Sequence, residues 1–216
     1  MKKNTLYLGS KNPGKLKEYR KLLTVDSWSF PEITTVEEPE EVGDSFMEIA
    51  NLKARYYAKA MGGLAVAEDS GLVVPALSGS PGIYSARFAD CVLHPETFAF
   101  QSYSSSGRSR DEMDASNNER LLQLLSTFDD DKREAYFVVQ IAVSNAMGGI
   151  LYSEESRFEG SIAKEMRGEN GFGYDFIFEP KATPGKLSSE LTPEEKNALS
   201  HRGKAILGLK DFLSNF

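Results

Sequence analysis

The chain has 216 residues, 40% of them hydrophobic and 26% charged, with a formal net charge of −7. That balance suits a globular protein with a sizeable core and argues against a broad surface for nucleic acid or anionic membrane, so any phosphate must be held by a few placed cations. Cys91 stands alone, which excludes an intramolecular disulfide; no apolar run follows the N-terminal lysines, and no stretch nears the ~20 apolar residues of a membrane span, so the expected setting is cytoplasmic.

In chain order, Thr5 to Leu8 reads as a short strand ending at Gly9. A helix from Lys15 to Leu23 follows, with Leu16, Tyr19, Leu22 and Leu23 near helical spacing. Between them, GSKNPGK has the G-x-x-x-x-G-K spacing of a phosphate loop, from Gly9 to Lys15, in the strand–loop–helix setting where backbone N–H groups receive phosphate. Pro13 fixes part of this loop and Gly14 allows close backbone approach. Leu16 occupies the position where a hydroxyl would hold magnesium, so a metal would need ligands from elsewhere.

Ser45 followed by Glu48 is a capping-box start for a second helix, with Phe46, Ile49, Ala50, Ala54, Tyr57 and Met61 on one face. After Gly62-Gly63, LAVAEDSGLVV begins as a buried strand that Glu68, Asp69 and Ser70 interrupt. Its acids would then stand at the C-terminal end of a strand, where open α/β sheets bind ligands. Charge behind so apolar a run is costly unless paired or metal-bound, and hard oxygen ligands suit Mg²⁺. EPEEVGDS adds Glu40 and Glu41. Each of these segments taken alone also reads as an ordinary turn, solvated loop or strand end.

SGSPG, from Ser78 to Gly82, is a turn. From Cys91 to about Ser116 the periodicity lapses, and the serine-rich SYSSSGRSRDEMD reads as a mobile excursion in which His94 is structural. A helix resumes from Asn118 to Leu125, and AYFVVQIAVS and ILYSEESRF read as adjacent strands joined by AMGG. ENGFGYDFIFEP sets Phe172 and Tyr174 among glycines with Asp175 next, a loop able to show a ring face to a nucleobase, or else a core strand end. Thr192-Pro193-Glu194-Glu195 starts a helix. EEKNALSHRGKA then carries Lys196 and Ser200 four apart on one helix face, followed by His201 and Arg202. A last amphipathic helix holds Leu207, Phe212 and Leu213. The class is α/β, in a single domain of residues 1–216.

Six segments occur in one order: LGSKNPGK, EEVGDSFMEIANLKA, LAVAEDSGLVV, SPGIYSARFA, GFGYDFIF and EKNALSHR. In this the chain resembles the inosine/xanthosine triphosphate pyrophosphatases of Ham-like fold, over all but the stretch from Cys91 to Ser116. The resemblance implies an elongated mixed sheet with flanking helices forming two lobes around a substrate cleft, and a homodimer. It implies Mg²⁺-dependent hydrolysis of ITP, dITP or XTP to the monophosphate and pyrophosphate. Ser10, Lys11, Asn12, Pro13, Gly14 and Lys15 look like the triphosphate-binding stretch. Glu41, Glu68 and Asp69 look like the metal acids, with Asp69 also the base that activates water, and Ser70 like a substrate contact. Phe172, Gly173, Tyr174 and Asp175 resemble the base pocket, with Phe172 as the stacking ring. Lys196 resembles a second phosphate lysine, and His201 with Arg202 the pair that reads the purine. The chain departs from the pattern at Glu68, where bacterial members often have Asp, and at Ile49, Pro75 and Phe176. The residues also leave open a Maf-like pyrophosphatase, a small-molecule phosphatase and a non-catalytic nucleotide-binding module. A pure sensor, however, needs no water-activating acid.

Overall fold

The computed structural model describes residues 3–216. Its elements are β1 (Asn4–Leu8), α1 (Pro13–Leu22), β2 (Trp28–Ser29), α2 (Phe46–Met61), β3 (Leu64–Val73), β4 (Cys91–Leu93) and β5 (Phe100–Tyr103). They continue as α3 (Arg110–Leu124), β6 (Glu134–Ser144), β7 (Ile150–Ile162), β8 (Phe178–Pro180), α4 (Pro193–Leu199) and α5 (His201–Ser214). A six-stranded mixed sheet has the order β2-β1-β3-β6-β7-β8, with β1 parallel to β2 and β3, and β7 antiparallel to β8. The α/β class expected from the sequence is what forms.

Two compact units divide the chain: one takes the stretch up to Ser70, Val139–Ser156 and Ser200–Phe216, the other Gly71–Val138 and Arg157–Leu199. In the first unit the two-residue period of a strand sorts the core. Leu6 and Leu8 of β1, Val66 of β3 and Val139, Ile141 and Val143 of β6 pack with Leu16 and Tyr19 of α1 and Ala205, Ile206 and Leu209 of α5. The alternate residues Tyr7, Ala65, Ala67 and Ala142 pack instead with Ala50, Ala54, Tyr57 and Ala58 of α2. Successive strand side chains point to opposite faces, so α1 and α5 cover one face and α2 the other. Leu16 therefore belongs to a core face, which explains an apolar residue where a phosphate loop would carry a hydroxyl.

The second unit closes over Leu72, Val74, Leu77, Phe88, Leu121, Leu125, Phe158, Ile162, Tyr174, Ile177 and Phe178. Three sequence expectations change here and at the strand shared by the units. The stretch from Cys91 to Ser116, in which the sequence shows no period, carries regular elements. β4 and β5 pair as an antiparallel ribbon, and Phe100 stacks on Tyr84 at 3.6 Å between centroids. α3 begins at Arg110 rather than near Asn118, because Ser109 and Glu112 form a reciprocal capping box. β3 runs unbroken from Leu64 to Val73, so the acids lie inside the strand and not at its end.

Candidate active site

In the first unit the strand period separates two neighbouring acids. Glu68 continues the Val66 face, and Asp69 the Ala65–Ala67 face. Glu68 is 2% exposed and meets α1 and α5: Lys15 Nζ lies 3.2 Å from Oε1, and Arg202 Nε donates to both carboxylate oxygens at 2.9 and 3.0 Å. Arg202 also donates from Nη1 to Glu18 at 2.6 Å and from Nη2 to Ser70 Oγ at 3.2 Å. Burial works against the Glu68 charge, yet Arg202 and Lys15 outweigh it and hold the carboxyl far below the usual range. The same pairing, with Glu18, holds the Arg202 guanidinium above its ordinary value despite burial.

Asp69 is 7% exposed, and its Oδ2 accepts no hydrogen bond from any described residue. Burial pushes its carboxyl up to about 6, against the pull of Lys15 and Lys53 and with a further push from Glu41. Lys53 is buried on α2 and pairs with Glu41 at 2.8 Å. Burial alone would lower its ammonium, but Glu41 and Asp69 raise it overall. Lys15 is the opposite case, lowered because burial outweighs Glu68. The positive charge of Lys15 and Lys53, each paired with a glutamate, thus acts on a buried aspartate that has an unused oxygen.

The sequence motif GSKNPGK is a helix N-terminus more than a loop. Asn12 is the N-cap of α1 and its Oδ1 accepts the Gly14 and Lys15 N–H groups at 3.0 and 3.3 Å, while Ser10 Oγ accepts from Asn12 N. Pro13 is the first helical residue, where its missing N–H costs nothing. Lys11 is on the surface, its Nζ 3.0 Å from Glu37. Gly9 is required by packing, since a Cβ there would lie 2.4 Å from Cδ2 of Tyr57.

α5 opens on the remaining members of this group. Ser200 caps it through Gly203 N, which puts His201 and Arg202, both buried, in the first turn. Ser200 therefore starts a new helix and does not share a face of α4 with Lys196. Of the inward-facing residues, sequence reading passed over Lys53 and Glu18. Their signals were nonetheless present: Lys53 interrupts the apolar face of α2 between Ile49, Ala50, Ala54 and Tyr57, and Glu18 follows Lys15 by three residues on α1.

The second unit brings the other predicted residues together around a tight turn. Gly171 and Gly173 have φ of +100° and +60°. Between them, the Phe172 N–H donates to Asp175 Oδ2 at 2.9 Å, and Lys196 Nζ donates to the same oxygen at 2.6 Å. Lys196 Nζ also sits 4.9 Å from the centroid of the half-buried Phe172 ring. A Cβ on Gly171 would come within 2.3 Å of Asp175 Oδ2, so only glycine fits. Tyr174 is buried and its hydroxyl donates to Ser85 O at 2.9 Å, which makes it a core residue of this turn and not a second exposed ring.

Among the described residues, no three His, Cys, Asp or Glu side chains are grouped closely enough to share an ion. The donor chemistry nevertheless fits a hard divalent cation. Glu41 and Asp69 offer only oxygens, and the buried, unsatisfied Oδ2 of Asp69 is the kind of atom a cation relieves; Glu68, expected as a third ligand, faces the other side of the strand with both oxygens on Arg202.

Comparison with known proteins places this geometry in context. The family model described as Ham1 family matches residues 6–212. A dITP/XTP pyrophosphatase of Pseudomonas aeruginosa is 43% identical, with 99% of this chain and 98% of that protein covered. One from Bacillus subtilis is 39% identical over 95% of each. A solved HAM1 protein structure from Coxiella burnetii superposes with a TM-score of 0.81 at 36% identity, covering 99% of this chain and all of that one. With a match along nearly its whole length and this conjunction of fold and buried acids and lysines, the chain belongs to the Ham1 family.

Proposed function

We propose that the protein hydrolyses inosine- and xanthosine-type nucleoside triphosphates, ITP, dITP and XTP, to the monophosphate and pyrophosphate, and so clears them from the nucleotide pool. The observation that carries this reading is the set of acids and lysines on and around β3: Glu68 paired with Lys15, Glu41 paired with Lys53, and beside Glu68 in the strand the buried Asp69, an acid able to take a proton near neutral pH. The names of the relatives from P. aeruginosa and B. subtilis support it.

Asp69 is the base. An aspartate raised to about 6 remains ionised at neutral pH and is more basic than a solvated one, a placement that contributes roughly 10²–10⁴-fold. It takes a proton from the water whose oxygen bonds to the α-phosphorus. The bond from that phosphorus to the α,β-bridging oxygen breaks, and pyrophosphate carries away the electron pair. Lys15 and Lys53 offset the negative charge that gathers on the departing group. Mg²⁺, held by Asp69 with Glu41, would add Lewis-acid stabilisation of the same charge, while Glu68, turned to the other face of the strand, holds Arg202 and Lys15 in place. The triphosphate is received by Ser10, Lys11, Asn12, Pro13, Gly14 and Lys15, with Ser70 and Lys196 as further contacts.

In the second unit, Phe172 within the Gly173–Tyr174–Asp175 turn is proposed as the ring that stacks on the base; in the first, His201 and Arg202 are proposed as the residues that read the purine. Hypoxanthine and xanthine carry a carbonyl at position 6, an acceptor that the Arg202 guanidinium can satisfy. Adenine presents a donor there, and a buried mismatch of that kind rejects the wrong base by roughly 10⁴ or more. The whole chain, 1–216, serves this one activity, as a cytoplasmic homodimer.

The test is pyrophosphate release from ITP, dITP, XTP, ATP, GTP, dTTP and UTP, with and without Mg²⁺. Release confined to the inosine and xanthosine nucleotides and dependent on the metal is expected. Orthophosphate as the product, or a preference for dTTP or UTP, contradicts the proposal.

A further inference from the structure

We infer that Asp114 and Asn118 of α3 are positioning residues for the Phe172 ring: together they grip Gly173 on both sides and thereby fix the backbone that carries the ring. The inference rests on the reading that Phe172 contacts the base, and it adds two residues from a helix that the recognition motifs do not touch.

The grip is a set of three hydrogen bonds. The Gly173 N–H donates to Asp114 Oδ2 at 3.0 Å, and Asn118 Nδ2 donates to the Gly173 carbonyl at 2.9 Å. Asn118 Nδ2 also donates to the Asp114 backbone carbonyl at 2.8 Å, which ties the Asn118 side chain to the helix backbone one turn earlier. The peptides before and after Gly173 are each held, so both of its torsions are bounded, at a φ of +60° that few other residues adopt.

For Phe172 the consequence is direct. Its own N–H is held by Asp175, and the N–H that follows it is held by Asp114. The backbone on either side of the ring is therefore tied to two different elements, and Lys196 borders the ring face. A ring meant only to fill a core needs no such restraint, and this ring is half-buried.

The helix that grips is itself anchored. Asn117, 1% exposed like Asn118, accepts the Ala89 N–H at 2.7 Å and donates to Ser85 O at 3.2 Å, the carbonyl that also accepts from Tyr174. Adjacent asparagines thus split the work, one fixing α3 in place and the other reaching from α3 to the turn. The orientation of the Asn118 amide is set by its surroundings. Its Nδ2 faces two carbonyls, while its buried Oδ1 accepts from no described residue.

Asp114→Ala removes the acceptor, Asp114→Asn restores one, and Asn118→Asp turns a carboxylate oxygen toward two carbonyls. Affinity is measured for IMP and for ribose 5-phosphate, which differ by the base alone, alongside melting temperature and Phe172→Ala. The wild type should prefer IMP roughly tenfold or more, the size of a base–aromatic stack. Asp114→Ala and Asn118→Asp should lose most of that preference with ribose 5-phosphate affinity unchanged, and Asp114→Asn should keep it within about twofold. Folded Asp114→Ala enzyme with an intact preference overturns the inference, as does an Asp114→Asn variant that fails to restore it. If Asn118→Asp does not fold, the Asp114 pair decides alone. A Phe172→Ala variant with intact preference instead removes the stacking reading, and the positioning role falls with it.

Discussion

Asp69→Asn should do two opposite things: abolish turnover and make the apoprotein more stable at neutral pH. A carboxyl that titrates at about 6 in the fold and at its ordinary 3.8 in the unfolded chain binds its proton more tightly when folded. Its contribution to stability is complete below about pH 4 and is lost as pH rises through 6. Above that, keeping the buried group charged costs about 3 kcal/mol, from the difference between those two values at about 1.4 kcal/mol per pH unit. Asparagine has nearly the same shape and carries no charge, so it escapes this cost. Trp28, the single tryptophan, lies 3% exposed in the same unit with its indole N–H donating to Leu213 O, and its fluorescence reports that unit's unfolding. With chelator present, the urea midpoint of the variant should exceed that of the wild type by about 1 M at pH 7, for a slope of about 2–3 kcal/mol per M. At pH 4 the advantage should fall to about a fifth, and added Mg²⁺ should narrow it at pH 7 by binding the charged aspartate. A variant no more stable than wild type at pH 7, or an advantage unchanged at pH 4, refutes the claim that Asp69 is held ionised against its surroundings.

Arg202→Ala leaves Glu68 and Glu18 without the guanidinium that balances them. Losing one partner of a buried pair costs about 3–5 kcal/mol. For a chain of this size that is roughly 6–20 °C in melting temperature, and calorimetry showing a loss under about 2 °C would contradict it. Gly171→Ala should push the turn away from Asp175 and displace Phe172, raising KM for ITP about tenfold or more while ribose 5-phosphate affinity holds. An unchanged KM would show that the turn tolerates the added methyl.

The long elements were legible because their apolar residues keep a period. The faces of α2 and the apolar stretch of β6 follow from spacing alone, and the caps at Ser45 and Thr192 mark helix starts in sequence as they do in space. β3 misled because a polar run looks like a strand end, whereas here three polar residues stay in the ladder, compensated by groups from three helices. α3 was shortened because Arg110 to Ser116 presents no apolar stripe, although Ser109 and Glu112 spelled its capping box. The ribbon of β4 and β5 is too short for any period to show. At the site, the residue types pointed to acids and lysines together, but not to the sorting of Glu68 and Asp69 onto opposite faces. That sorting depends on the strand continuing through them. Asp114 and Asn118 carry no sequence signal, since their partner is a glycine backbone 59 and 55 residues away.

The central claim is that water, deprotonated by Asp69, attacks the α-phosphorus. A single turnover of ITP in ¹⁸O-water tests it by mass spectrometry of both products. One labelled oxygen in the monophosphate and none in pyrophosphate is the predicted result, with the Asp69→Asn enzyme producing neither. Label in pyrophosphate or in orthophosphate would place the attack at another phosphorus and contradict the account.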